Sequence, residues 1–262
     1  MMLEGYFDDS SDAQRSKFYV CGGIIGNSDQ WDMFEAAWSI ATARLTAPFR
    51  SADCEGGYGQ FADWTKQERA DLVKRLVEII KQIGLHGCSA IVPIPEFAEV
   101  FPGVDKKEAF GLTTMQMIFN MAHLADRLGM DAALWFEQGP EPGIALDALK
   151  AVRALDWKPN LRIRKITFND KSLRALQAAD LIARESFKHV TNFGTIEPRL
   201  PVHELSDRLV FMRWTVPALK YMAQRGWPKE KAFLLSIDKE LPEHAKLIHF
   251  WRDALRKSNA QK

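Results

Sequence analysis

Residues 169–188 read NDKSLRALQAADLIARESFK, and they set a carboxylate where a helix should be apolar. Ser172 suits an N-cap, and Leu173, Leu176, Ala183 and Phe187 then recur at helical spacing. Asp180 falls on that same stripe. If the stripe packs on a sheet, an unpaired Asp180 would cost roughly several kcal/mol or become protonated instead. A partner is therefore expected: either a cation held jointly with other carboxylates, or an Arg or a row of backbone donors.

Working outward, helices follow strands repeatedly. Short strands are expected over 2–8 and 18–26, joined by the polar link DSSDAQRSK. An amphipathic helix over 28–44 carries Trp31, Phe34 and Trp38 on one side, with Ser28 or Asn27 as its cap. Residues 49–53 read as a third strand, followed by the glycine-rich loop CEGGYGQFADW, which has no Lys-Ser/Thr and so is not a phosphate cradle. Thr65 with Glu68 signals the start of a strong helix over 65–83, and a strand over 88–94 closes at Pro93 and Pro95. A long helix over 106–128, whose methionines suit a core rather than a cofactor, precedes a buried strand over 131–136 ending at Glu137. A helix over 144–155 and a strand over 161–168 complete the series. This alternation predicts an α/β layer arrangement with a mixed sheet.

The 262 residues, 47% of them hydrophobic, suffice for one large core plus a tail. Residues 1–190 are expected to form the core domain, and 191–262 a helical extension packed on it. No run approaches the roughly 18 apolar residues of a membrane span, and MMLEGYFDDSSD lacks a signal-peptide pattern, so a soluble cytoplasmic protein without membrane contact is expected. Cys21, Cys54 and Cys88 are odd in number and widely spaced, which suits small core residues. The six histidines form no spaced cluster.

The net charge of +1 hides an asymmetry. Residues 1–64 hold four Lys/Arg and ten Asp/Glu, 4 − 10 = −6, whereas residues 150–190 hold ten and four, 10 − 4 = +6. An acidic site bordered by an anion-binding surface has this signature, and so do ordinary solvated faces. Arg162, Arg164, Arg174 and Arg184 are candidates for such a border. In the first strand, alternation sets Tyr6 and Asp8 on one face and Phe7 and Asp9 on the other, so one site should use only one of the two aspartates, unless both are simply turn residues.

GYFDDSSD at 5–12, followed by a strand with Gly22-Gly23, resembles the Asp-Glu-Ser-Gly opening of the domain of unknown function family numbered 3800. FNDKSLRALQAADLIARE at 168–185 resembles that family's closing Gln-x-Ala-Asp helix. The likeness spans roughly residues 2–190, with Asp9 where the family has Glu and Ser11 where it has Gly. It implies a ribonuclease H-like fold, with carboxylates from the first strand and the last core helix, Asp8 and Asp180, converging at the sheet edge. Glu137 is the preferred third metal ligand and Asp53 the next; Asp9, Glu55, Asp63 and Asp170 rank lower. The chemistry implied is Mg²⁺- or Mn²⁺-dependent phosphodiester hydrolysis, a nuclease acting on nucleic acid, in mobile-element or defence biology. Lys171 is expected either to contact a phosphate near the helix N-terminus or to be a solvated lysine. Competing expectations are a catalytically silent binding module with an unknown protein partner, and a metal-dependent phosphatase or nucleotide hydrolase.

Overall fold

The structure, a computed structural model, describes residues 2–138, 162–194 and 197–224, with a few positions between 143 and 150. Strands β1 (Met2–Ser11), β2 (Phe18–Asn27), β3 (His86–Pro93), β4 (Asp131–Glu137), β5 (Ile163–Asn169) and β6 (Leu209–Arg213) form one sheet in the order β5-β4-β1-β2-β3-β6. β1–β2 and β2–β3 pair antiparallel, and β1–β4, β4–β5 and β3–β6 pair parallel. The sheet is thus mixed and flanked by helices, as expected of an α/β chain and consistent with a ribonuclease H-like fold.

Alternation along β1 divides the core. Leu3 and Phe7 face α5 (Glu108–Leu128), whose Met115, Met117 and Met121 are buried in the same cluster; the methionine run is core. Tyr6 and Ile24 face the opposite layer, built from α1 (Ser28–Ala41), α3 (Lys66–Ile83) and α6 (Arg174–Thr191). The cap of α1 is Asn27, which forms a capping box with Gln30, and that of α3 is Thr65, which does the same with Glu68. α4 (Ile94–Val100) begins directly at the prolines that end β3, using Pro95 in its first turn. The three cysteines are free and buried.

α6 presses closely on the sheet. A Cβ at Gly22 would lie 2.7 Å from Ala183 Cα, so only glycine admits the helix at this depth. The register Asp8–Gly22 then sets Asp180, one turn before Ala183, near the middle of β1.

Several local expectations are corrected. Residues 49–53 do not form a strand: Phe49 is buried against Trp38 and Phe61, and the chain turns into α2 (Ser51–Gly56), closed by Gly57 at φ 70°. The cap of α6 is Leu173 without a side-chain bond; Ser172 instead gives its N–H to Asp170. β1 runs three residues past Asp8, because Asp9, Ser10 and Ser11 continue to pair with Cys21, Val20 and Tyr19, and Asp12 closes the turn by accepting from Ser16 and Lys17. Beyond residue 190 the described chain contains helices α7 (Leu200–Glu204) and α8 (Val216–Gln224), but also β6, which adds to the sheet edge; its five residues are too few to outweigh the helical patterns around them. The helix expected over 144–155 lies largely outside the described residues, as does the expected extension from residue 225 on. Among the described residues no helix is long and apolar enough to cross a membrane.

Candidate functional site

β4 stops at Glu137 while its neighbour β1 continues, which opens a notch in the sheet beside Asp8. Trp135 stacks on Tyr6 at 4.7 Å, so the next residues on that face, Glu137 and Asp8, project towards α6 together. Asp180 descends from α6. Lys171, in the loop between β5 and α6, reaches into their midst: its Nζ lies 2.9 Å from Asp8 Oδ2, 3.0 Å from Glu137 Oε1 and 2.9 Å from Asp180 Oδ1. Three carboxylates from three distant parts of the chain thus surround one buried cation, and Lys171, only 8% exposed, is not a solvated lysine.

Asp180, partly buried, finds its partners within the protein itself. The Lys171 ammonium is a jointly held cation, and Ser51 N–H at the start of α2 donates to Asp180 Oδ2 at 2.5 Å. The correction of residues 49–53 from strand to helix matters here: α2 supplies this donor and Arg50, whose guanidinium lies 3.7 Å from Glu137 Oε1. Asp53, on the first turn of α2, is half-exposed and lies outside the gathered group.

Asp9 does belong. Oxygens of Asp8, Asp9 and Glu137 all lie within 4.8 Å of one another, the one potential metal-holding group among the described residues. Alternation separates the two aspartates' Cβ atoms, but beside the notch, where β4 no longer covers the strand, Asp9's oxygen still comes within this range. Of the other lower-ranked carboxylates, Asp63 and Asp170 are exposed, and Glu55 is taken up by Arg184, Lys188 and Arg199.

Burial and a hydrogen bond shared with Glu137 push Asp8 well above the usual carboxylate range, with Lys171 opposing. Burial also raises Asp9. Burial alone would raise Glu137 too, but the Asp8 hydrogen bond and the Lys171 charge outweigh it and lower this group. Burial would pull Lys171 down; Asp8, Asp180 and Glu137 together reverse this and hold the ammonium charged. Asp8 Oδ2 is buried with no well-aligned hydrogen bond and meets Lys171 only as an ion pair.

Gln177, the glutamine of the Gln-x-Ala-Asp motif, is a site residue to which sequence reasoning assigned no role. Its Nε2 donates to the carbonyl of Lys171 and its Oε1 accepts from Trp38 Nε1, each at 2.9 Å. It therefore fixes the loop that carries the lysine. The signals were its place in that motif and its position as another polar residue, three before Asp180, on a helix otherwise apolar on that side.

The basic border expected from β5 is not at this site. Arg162 pairs with Asp126 near the end of α5 and Arg164 with Asp131 at the start of β4, the opposite end of that strand from Glu137. Arg174 pairs with Glu35. No protein-family model matches the chain, and no curated protein is similar to it.

Proposed function

We propose that the chain is a metal-dependent phosphodiester hydrolase, a nuclease, in which Asp8, Glu137 and Asp180 hold Mg²⁺ or Mn²⁺ with Asp9 adjoining. The observation that carries this reading is the convergence of three carboxylates, from β1, β4 and α6, on a single cation position at 2.9 to 3.0 Å. Every donor is a hard carboxylate oxygen, the set that suits these ions rather than softer ones. A divalent ion bound there supplies an activated water and stabilises the leaving oxygen. The chain's own residues do the rest. Ser51 N–H and Gln177 hold Asp180 and the Lys171 loop in place, and Lys171 and Arg50 offer positive charge to a phosphate at the notch.

One observation favours a second reading. Lys171 already pairs with all three carboxylates, as it would in a catalytically silent module whose acidic cluster is purely structural. Calorimetric titration of Mn²⁺ into the wild type, Asp8→Asn and Asp180→Asn, together with cleavage assays on labelled oligonucleotides, separates the two. The nuclease reading expects Mn²⁺ binding that both variants lose, and strand cleavage that requires Mn²⁺. Absence of Mn²⁺ binding in the wild type establishes the silent module. Mn²⁺-dependent turnover of a mononucleotide without oligonucleotide cleavage moves the assignment to a phosphatase or nucleotide hydrolase.

A further inference from the structure

α1 buries Trp31, Phe34 and Trp38 on one side, and these rings hold it in its layer. Its other side is not polar. Met33 is 53% and Ile40 77% exposed, the latter the most exposed large hydrophobic residue among those described. Ala36, exposed, and Ala37, half-buried, lie between them. At 3.6 residues per turn these four positions fall within a sector of about 100°, which makes a continuous apolar stripe about two turns long. Scattered apolar residues on a surface are ordinary, but an ordered stripe on an outer helix face is a contact surface.

The stripe reads the same from either end. Reversing the helix about the midpoint between Ala36 and Ala37 exchanges these two alanines and exchanges Met33 with Ile40. The same reversal exchanges Asp29, four before Met33, with Arg44, four after Ile40. A two-fold axis needs this arrangement, because an isologous contact pairs residue i with j and j with i. A partner of unrelated sequence would need no such symmetry. Charge sets the direction. The acids of α1, Asp29, Asp32 and Glu35, all lie in its first half, and no further charge follows until Arg44. A parallel pair would stack acid on acid; an antiparallel pair sets the acidic half against the partner's uncharged half and aligns the helix dipoles head to tail. Glu35 is held by Arg174, and Arg44 meets Glu68 at 3.7 Å, so avoidance of like charge governs here rather than a strong new ion pair.

We propose that α1 docks antiparallel on α1 of a second copy of this chain, with the two-fold axis between Ala36 and Ala37, Met33 packed on the partner's Ile40 and Ile40 on the partner's Met33. Alanines at the crossing let the helix axes approach to about 8 Å, the short end of helix packing distances. The stripe spans only about 12 Å, so the contact is small and the dimer a weak one, with Kd on the order of 10 µM. The opposite side of α1 keeps Trp38 on Gln177, so docking leaves that anchor in place. The proposal is independent of the metal reading.

Sedimentation equilibrium of the full chain from about 1 to 300 µM brackets that affinity and tests the pairing. The weight-average mass should rise from one chain towards two over this range. Ile40→Lys should weaken association at least about 100-fold, because the axis counts each substitution twice. Ile40 is exposed, so the variant should melt with the wild type by circular dichroism. The double variant Met33→Glu with Ile40→Lys decides the direction. Antiparallel, each introduced acid faces an introduced base of the partner, and association should recover at least about tenfold over Ile40→Lys alone; a parallel pair would set like against like and recover nothing. A single chain at every concentration overturns the proposal, as does growth beyond two chains. So does a dimer that Ile40→Lys leaves unchanged, or a double variant that associates no more tightly than Ile40→Lys.

Discussion

Replacing Lys171 with Met keeps most of the apolar stem and removes the ammonium that Asp8, Glu137 and Asp180 share. Taking one partner from a buried ion pair costs about 3 to 5 kcal/mol, because the surviving charge stays desolvated. The lower end applies, since Asp8, already pushed up by burial and by its hydrogen bond with Glu137, is the carboxylate least costly to leave without the ammonium. In a domain of this size 1 kcal/mol moves Tm by about 2 to 4 °C, so Lys171→Met should melt about 6 to 12 °C below the wild type in EDTA. With Mn²⁺ the order of effects reverses. The variant has no internal cation to displace, so its Tm should rise further with Mn²⁺ than the wild type's; each tenfold gain in affinity adds about 1.4 kcal/mol at saturating metal. Thermal melts by circular dichroism across an Mn²⁺ series measure both. A variant as stable as the wild type in EDTA, or one that Mn²⁺ stabilises less, refutes the claim that Lys171 occupies the position a metal would take.

Gln177→Leu should destabilise the fold by about 1 to 3 kcal/mol, because Trp38 Nε1 and the Lys171 carbonyl both lose their buried partner. In urea melts, a change of less than about 0.5 kcal/mol contradicts its role in holding the lysine loop. Gly22→Ala should cost about 1 to 3 kcal/mol by forcing Ala183 off the sheet, and should weaken Mn²⁺ binding in parallel, since Asp180 rides on the same helix. Calorimetry showing wild-type Mn²⁺ affinity in that variant would break the link between helix depth and site geometry. Glu185, 3% exposed, is pushed up to about 7 by burial against an ordinary value of 4.5, with Arg199 only partly offsetting this. The folded state therefore keeps a proton that the unfolded chain releases, and this contribution, at most about 3 kcal/mol, is full below about pH 4.5 and lost by about pH 7. Denaturation across that window should show wild-type stability falling as pH rises, and Glu185→Gln should flatten the fall; parallel pH profiles would show that Glu185 does not titrate there.

Much of this protein is legible without coordinates, and for a local reason. Capping at Asn27 and Thr65, the helical stripe through Trp31, Phe34 and Trp38, and the alternation in β1 depend on residues a few positions apart, so spacing alone reveals them. The same logic isolated Asp180, because a carboxylate on an apolar stripe conflicts with its own surroundings; Asp8, which spacing left open as a turn residue, and Glu137 were assigned to the site only through the family resemblance. Tertiary structure decided what those residues meet. Phe49 alternates into a plausible strand until the aromatic layer of Trp38 and Phe61 draws it into a helix-forming corner, and only then do Ser51 and Arg50 reach the site. Arg162 and Arg164 looked like a border to the acidic site by charge, yet strand direction carries them away from Glu137, to Asp126 near the end of α5 and Asp131 at the start of β4. Lys171 and Asp180 are nine residues apart, whereas Asp8 is more than 160 residues from either. No periodicity encodes that meeting, because the desolvation that drives one ammonium among three carboxylates exists only once β1, β4 and α6 have closed around it.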